Sequence, residues 1–108
     1  MSKPDQSTAR IRRICLSFPN AEEVSQFGHP FFKINKKPFA VLGDDGLAIK
    51  VEKQSQPVFL KDPRFQMTAY VGRHGWVTLA LTGKLDWEEI TSLIEGSYEL
   101  VTRRANKK

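Results

Sequence analysis

The chain has 108 residues, 40% hydrophobic and 27% charged, which is the size of one domain and enough to bury a core without disulfides or a structural metal. Its one cysteine, Cys15, excludes an internal disulfide and a cysteine-built zinc site and fits a reducing compartment. No apolar run approaches the roughly 20 residues that cross a bilayer, and the opening MSKPDQSTAR lacks the apolar segment of a signal peptide, so a soluble cytoplasmic protein with no membrane partner is expected.

The formal net charge is +5, but it is unevenly placed. Lys3, Arg10, Arg12 and Arg13 against Asp5 make the first 13 residues basic, and Arg103, Arg104, Lys107 and Lys108 do the same for the last eight. The stretch between them is slightly acidic. A basic tail after a helix has a simple cause, since cations near a helix C-terminus are favoured by the macrodipole by about 0.3–1 kcal/mol each.

From about Asp5 to Phe18, Ile11, Ile14, Cys15 and Phe18 fall on one helical face, with Arg10, Arg12 and Arg13 largely off it. Pro19 ends this amphipathic helix, and Cys15 is expected as a small core residue. The middle of the chain reads as strands. PFFKIN and PFAVL are joined at Lys36 and Lys37, and FAVLG and LAIKV are joined by DDG, where Gly46 supplies the positive φ of a tight hairpin. Strict alternation sends Phe32, Ile34, Phe39, Val41, Leu47, Ile49 and Val51 inward and Phe31, Lys33, Lys50 and Glu52 outward. A short helix follows, capped by Ser55, with Pro57 in its first turn and Val58, Phe59 and Leu60 inward.

Two further strands, FQMTAYV and WVTLAL, flank the tetrapeptide GRHG. Phe65, Met67, Ala69 and Val71 are the apolar set of one strand and Val77, Leu79 and Leu81 that of the other. For these to share a face, the loop must hold an odd number of residues. A three-residue loop, Arg73-His74-Gly75, meets this, with Gly75 left-handed and Gly72 opposite Trp76. The last helix starts near Asp86, an N-cap with Glu89 three residues on, and carries Trp87, Ile90, Leu93, Ile94, Tyr98 and Val101 on one side. The order of helix, four strands or so, short helix, two strands and long helix predicts a single α+β domain over 1–108. Its one antiparallel sheet of about five to six strands packs the N- and C-terminal helices on one face.

Two long helices cover only one face. The other is expected to be open, carrying Trp76, Tyr70 and Phe31 among threonines and lysines, which is the composition of a stacking platform for bases. The competing reading is that Trp76 and Tyr70 only shield the sheet, packed on each other across strands.

The ordered set CLSFPNAEE (Cys15 to Glu23), FGHPFFKINKKPFA (Phe27 to Ala40), LAIKV (Leu47 to Val51), YVGRHGWVTL (Tyr70 to Leu79) and SYELV (Ser97 to Val101) resembles the MmcQ/YjbR-like family of small bacterial proteins, over nearly the whole chain. The resemblance implies a fold similar to that of CyaY, the bacterial frataxin, and members are described as DNA-binding proteins with a double-wing motif. Wings that grip DNA need cations at their tips. Lys36-Lys37 and Arg73-His74 meet this requirement, whereas the Asp44-Asp45 tip would repel phosphate. A frataxin-like iron role needs acidic oxygen ligands on the first helix, which here is basic.

Catalytic spacing is not visible: no nucleophile beside a base, no paired carboxylates, no phosphate loop, and His29 and His74 stand 45 residues apart with no third metal ligand at a recognisable spacing. The sequence therefore points to a non-enzymatic, cofactor-free binding domain acting as a monomer. In the first reading it binds DNA or another nucleic acid, with Lys33, Lys36, Lys37 and Arg73 on phosphates, Tyr70 and Trp76 stacking, and Arg10 and Arg13 auxiliary. In the alternative, the same open face receives a protein partner or a small ligand.

Overall fold

The computed structural model describes residues 3–69 and 71–106. The elements, in chain order, are α1 (Lys3–Leu16), β1 (Glu22–Gln26), β2 (His29–Ile34), β3 (Lys37–Gly43), β4 (Gly46–Lys50), α2 (Gln56–Phe59), β5 (Phe65–Met67), β6 (Trp76–Leu79) and α3 (Trp87–Asn106). All strand pairs are antiparallel in one six-stranded sheet of order β1-β2-β3-β4-β6-β5. The fold is the expected α+β arrangement with both long helices against one face.

The core lies between that face and the helices: Phe32, Phe39, Ile49 and Val77 from the sheet meet Ile11 and Cys15 of α1 and Ile90 and Ile94 of α3. Phe32 and Phe39 are fully enclosed, and burying a side chain of this size contributes about 1.5–3 kcal/mol. Phe18, just beyond α1, stacks on Tyr98 of α3 at 4.7 Å between centroids, and the Tyr98 hydroxyl donates to the Pro19 carbonyl at 2.8 Å, which pins the end of one helix to the side of the other. Cys15 is in this core as expected, and burial pushes its thiol up to about 12, leaving it inert. Helix α1 ends at Leu16, earlier than the proline requires, because the Ser17 N–H and hydroxyl both turn back onto the Ile14 carbonyl.

Two local expectations are corrected, and one strand was not foreseen. The strand EEVSQ has no apolar alternation to announce it: it is an edge strand, polar as edges tend to be, with only Val24 and Gln26 half-buried. Val41 does not face the helices. The pairing shifts between Phe32↔Ala40 and Lys33↔Pro38, so β3 holds one extra residue there. That bulge turns Phe39 and Ala40 both toward the helices and reverses the parity beyond them. In α2, Ser55 makes no side-chain cap bond and Val58 is 67% exposed; the buried residue is Gln56. Its Nε2 donates to the carbonyls of Gly72 (2.7 Å) and Trp76 (3.0 Å), tying the short helix to the turn that precedes β6.

That turn is also longer than a three-residue hairpin. Strand β5 ends at Met67, which pairs with Val77, and Gly72–His74 form a single 3₁₀ turn closed by a left-handed Gly75. Gly72 is therefore not opposite Trp76. The register differs from the expected one by an even number of residues, so Phe65 and Met67 still share a face with Leu79 and Val77. Ala69 and Val71, expected inward, belong instead to a segment that has left the sheet.

Candidate binding pocket

One row of side chains crosses all six strands on the face away from the helices: Val24, Phe31, Val41, Ala48, Thr78 and Gln66 are successive cross-strand partners. Its centre is low because β4 contributes only the methyl of Ala48 and β3 only the side chain of Val41, which the bulge has turned to this face. Aromatic groups stand on both sides, Phe31 and Phe27 toward β1 and Trp76 toward β6. The result is a concavity of about 730 Å³, walled by these rings and closed on the β6 side by Thr68, Ala69 and Val71 from the segment that leaves β5.

Trp76 lies on the predicted side, opposite to Val77, but it is not an open platform: the residue is only 8% exposed and forms part of the pocket wall. Phe27 behaves in the opposite way. It occupies the β1–β2 turn at φ 52°, beside Gly28 at φ 79°, and is 87% exposed while its ring lies 6.3 Å from that of Phe31 at the pocket mouth. A left-handed conformation costs a non-glycine residue about 1–2 kcal/mol, and burial of this ring does not offset it. The polar groups at the pocket are carboxylates, hydroxyls and the His29 imidazole. Asp44 and Asp45 reach its edge from the exposed tip of the β3–β4 hairpin, and Thr68 and Thr78 share one hydrogen bond at 2.9 Å. Gln26, paired with His29 and hence on this face, has a buried Oε1 with no hydrogen-bond partner among the described residues. No three His, Cys, Asp or Glu side chains among the described residues gather as a metal site.

The expected basic residues are elsewhere, and they divide into two groups. The turn with Asn35 and Lys36 at positive φ, closed by Ile34↔Lys37, is at the end of the sheet where Lys50 pairs with Trp76. Arg73 and His74 lie three and two residues before Trp76, so Lys36, Lys37 and Arg73 share that end, all exposed. Lys50 of the same end donates from Nζ to the His74 carbonyl at 2.7 Å, and the Lys33 ammonium lies 5.9 Å from the Phe31 centroid. Arg10 is not with them: its guanidinium covers the Trp87 ring at 4.5 Å, at the start of α3. Arg13 is exposed in the last turn of α1. Tyr70 lies outside the described residues.

Sequence reasoning missed Phe27, Val41, Ala69, Val71 and the two aspartates as parts of one site. The FG turn dipeptide and the small Ala48 between Leu47 and Ile49 were the available signals; the bulge that redirects Val41 had none.

Fold and pocket together define a small helix-backed, six-stranded α+β domain with an aromatic-walled recess on its helix-free face. The YjbR family model matches residues 16–100, and the chain belongs to that family. Among solved structures, Deinococcus radiodurans protein DR2400, described with the domain DUF419, is similar at a TM-score of 0.82 and 22% identity over 94% of this chain and 82% of that one. A Pseudomonas syringae protein follows at 0.72 and 20%, covering 86% of this chain and 96% of its own. A DUF1801-family protein of Bacillus subtilis is similar at 0.54 and 14%, over 96% and 82%. At these identities the likeness concerns the fold alone. Among curated proteins there is no significant match.

Proposed function

We propose that this is a non-enzymatic binding domain that takes a small, largely apolar ligand in the recess between Phe27, Phe31 and Trp76. The observation that carries the reading is the recess itself. At about 730 Å³ it falls within the roughly 300–1,000 Å³ typical of small-molecule sites, and its wall is apolar with a few polar groups at the edge. The exposed, left-handed Phe27 at the mouth supports it, because a strained backbone that holds an apolar ring in water is a feature of ligand clamps. The test uses a Trp87→Phe variant, in which Trp76 is the sole tryptophan. Its emission is expected to be blue-shifted and protected from iodide, and to change saturably on titration with a neutral naphthyl probe. A Trp76 signal unaffected by such probes at millimolar concentration rejects the reading.

A second reading, nucleic-acid binding, is favoured by one observation: Lys36, Lys37 and Arg73 lie at the same end of the sheet. It rests on phosphate contact alone, since Trp76 is enclosed and Arg10 is engaged with Trp87. Binding of this kind weakens steeply with salt, and a Lys36→Glu, Lys37→Glu double variant should lose most of it. Absence of association with single- or double-stranded DNA at low salt removes it. The two readings separate cleanly, because the lysine changes leave the pocket intact.

A further inference from the structure

We infer that the ligand of this pocket is a small organic cation with a flat apolar body, its positive group directed to the Asp44-Asp45 hairpin tip; the inference rests on the pocket reading above. The lining residues include two carboxylates and one histidine, His29, and no lysine or arginine. The carboxylates come from adjacent residues of one two-residue turn, bracketed by the Gly43↔Gly46 pair, so both charges are delivered to one end of the recess. At the other end stand Lys33, against Phe31, and Lys50, opposite Trp76 in the ladder. The recess thus has a direction: a cationic group is attracted toward the hairpin tip and repelled from the lysine end.

The walls agree with the charges. Phe27, Phe31 and Trp76 line the recess with aromatic rings, whose quadrupole attracts a cation over the ring face, and the Lys33 ammonium near Phe31 is an instance of that attraction within the chain. An anionic ligand of the same shape would meet two carboxylates at the tip, with His29 as the one basic side chain of the lining. A neutral one would bind through its body alone.

The experiment compares three probes with one naphthylmethyl body, carrying a trimethylammonium, an alcohol or a carboxylate, against the Trp87→Phe chain and against Asp44→Asn, Asp45→Asn made in it. The ammonium probe is expected to bind about five- to tenfold tighter than the alcohol, and the carboxylate weakest. The asparagine variant should cut the ammonium probe's advantage over the alcohol to about twofold or less, the part that the aromatic walls supply; both positions are exposed, so folding is not at stake. Equal binding of all three probes, or a cation preference undiminished in the variant, overturns the inference while the pocket reading stands. If none of the three binds, the pocket reading itself fails. Self-association of the chain with a concentration-dependent Trp76 signal and no probe binding would assign the face to a second copy, and overturns the inference as well.

Discussion

The Ser97 hydroxyl donates to the Phe39 carbonyl at 2.6 Å, across 58 residues of chain, and accepts from the Lys50 N–H at 2.9 Å. Phe39 and Lys50 would be the next pair of the β3–β4 ladder after Ala40↔Ile49, but the bulge at Phe39 has parted them. A single buried hydroxyl on α3 fills the gap. It satisfies one carbonyl and one N–H that would otherwise lack partners, and it fixes the long helix along the two strands that floor the pocket.

Removing that hydroxyl leaves both backbone groups without their partner, and each unsatisfied buried group costs about 1–3 kcal/mol. Ser97→Ala is therefore expected to destabilise the domain by about 2–4 kcal/mol, at the upper end for so small a change. The measurement is the urea midpoint at constant m-value. A loss below about 0.5 kcal/mol would mean that water enters and replaces the hydroxyl.

Two glycines are expected to respond in opposite directions. Gly46 opens β4 at φ 138°, and a Cβ there would sit 2.1 Å from the Leu79 carbonyl oxygen of the neighbouring strand, so Gly46→Ala combines backbone strain with a collision against fixed main chain. A loss of at least about 2 kcal/mol is expected. Gly96 lies inside α3, facing open space, and a methyl there meets nothing within 4 Å. Gly96→Ala should stabilise by about 0.5–1 kcal/mol through the helix propensity alone. Thermal unfolding of the two variants beside the parent decides both.

What was legible in the sequence follows from the range of the interactions responsible. The helices could be read because Ile11 with Cys15, and Ile90 with Ile94, repeat within a few residues. Asp86 could be read because its carboxylate caps locally, accepting from the N–H groups of Glu88 and Glu89. Its supposed box partner Glu89 could not, since it turns away to Arg64, 25 residues distant. Parity placed Trp76 on the correct face, because register changed only by an even step. Its exposure was misjudged, since Thr68, Ala69 and Val71, which cover it, lie off the sheet beside a turn held by Gln56, a polar residue in an unremarkable short helix. The pocket fell between these cases: every wall residue is visible in the sequence, but the bulge that assembles them is a tertiary feature.

Acid stability gives the last prediction. Arg12 grips both carboxylate oxygens of Glu23, at 2.7 and 3.0 Å, which ties α1 to the edge strand β1, and Arg64 does the same for Asp62 and Glu89. The hydrogen bonds from Arg12 hold Glu23 below the ordinary carboxylate range, and those from Arg64 hold Asp62 below it. A carboxylate depressed in the folded chain binds its proton more readily when unfolded. The stabilisation is therefore complete above the ordinary carboxylate range, near pH 4–5, and declines as the pH falls through the folded values. Both networks are largely exposed to solvent, so each pair contributes little at neutral pH, about 0.2–1 kcal/mol for Arg12–Glu23. Glu23→Gln should accordingly lower the urea midpoint slightly at pH 7 and make no difference at pH 2. The gap between variant and parent should narrow steadily as acid is added. A gap that stays constant over that range would show that Glu23 acts through packing on β1 and not through its charge.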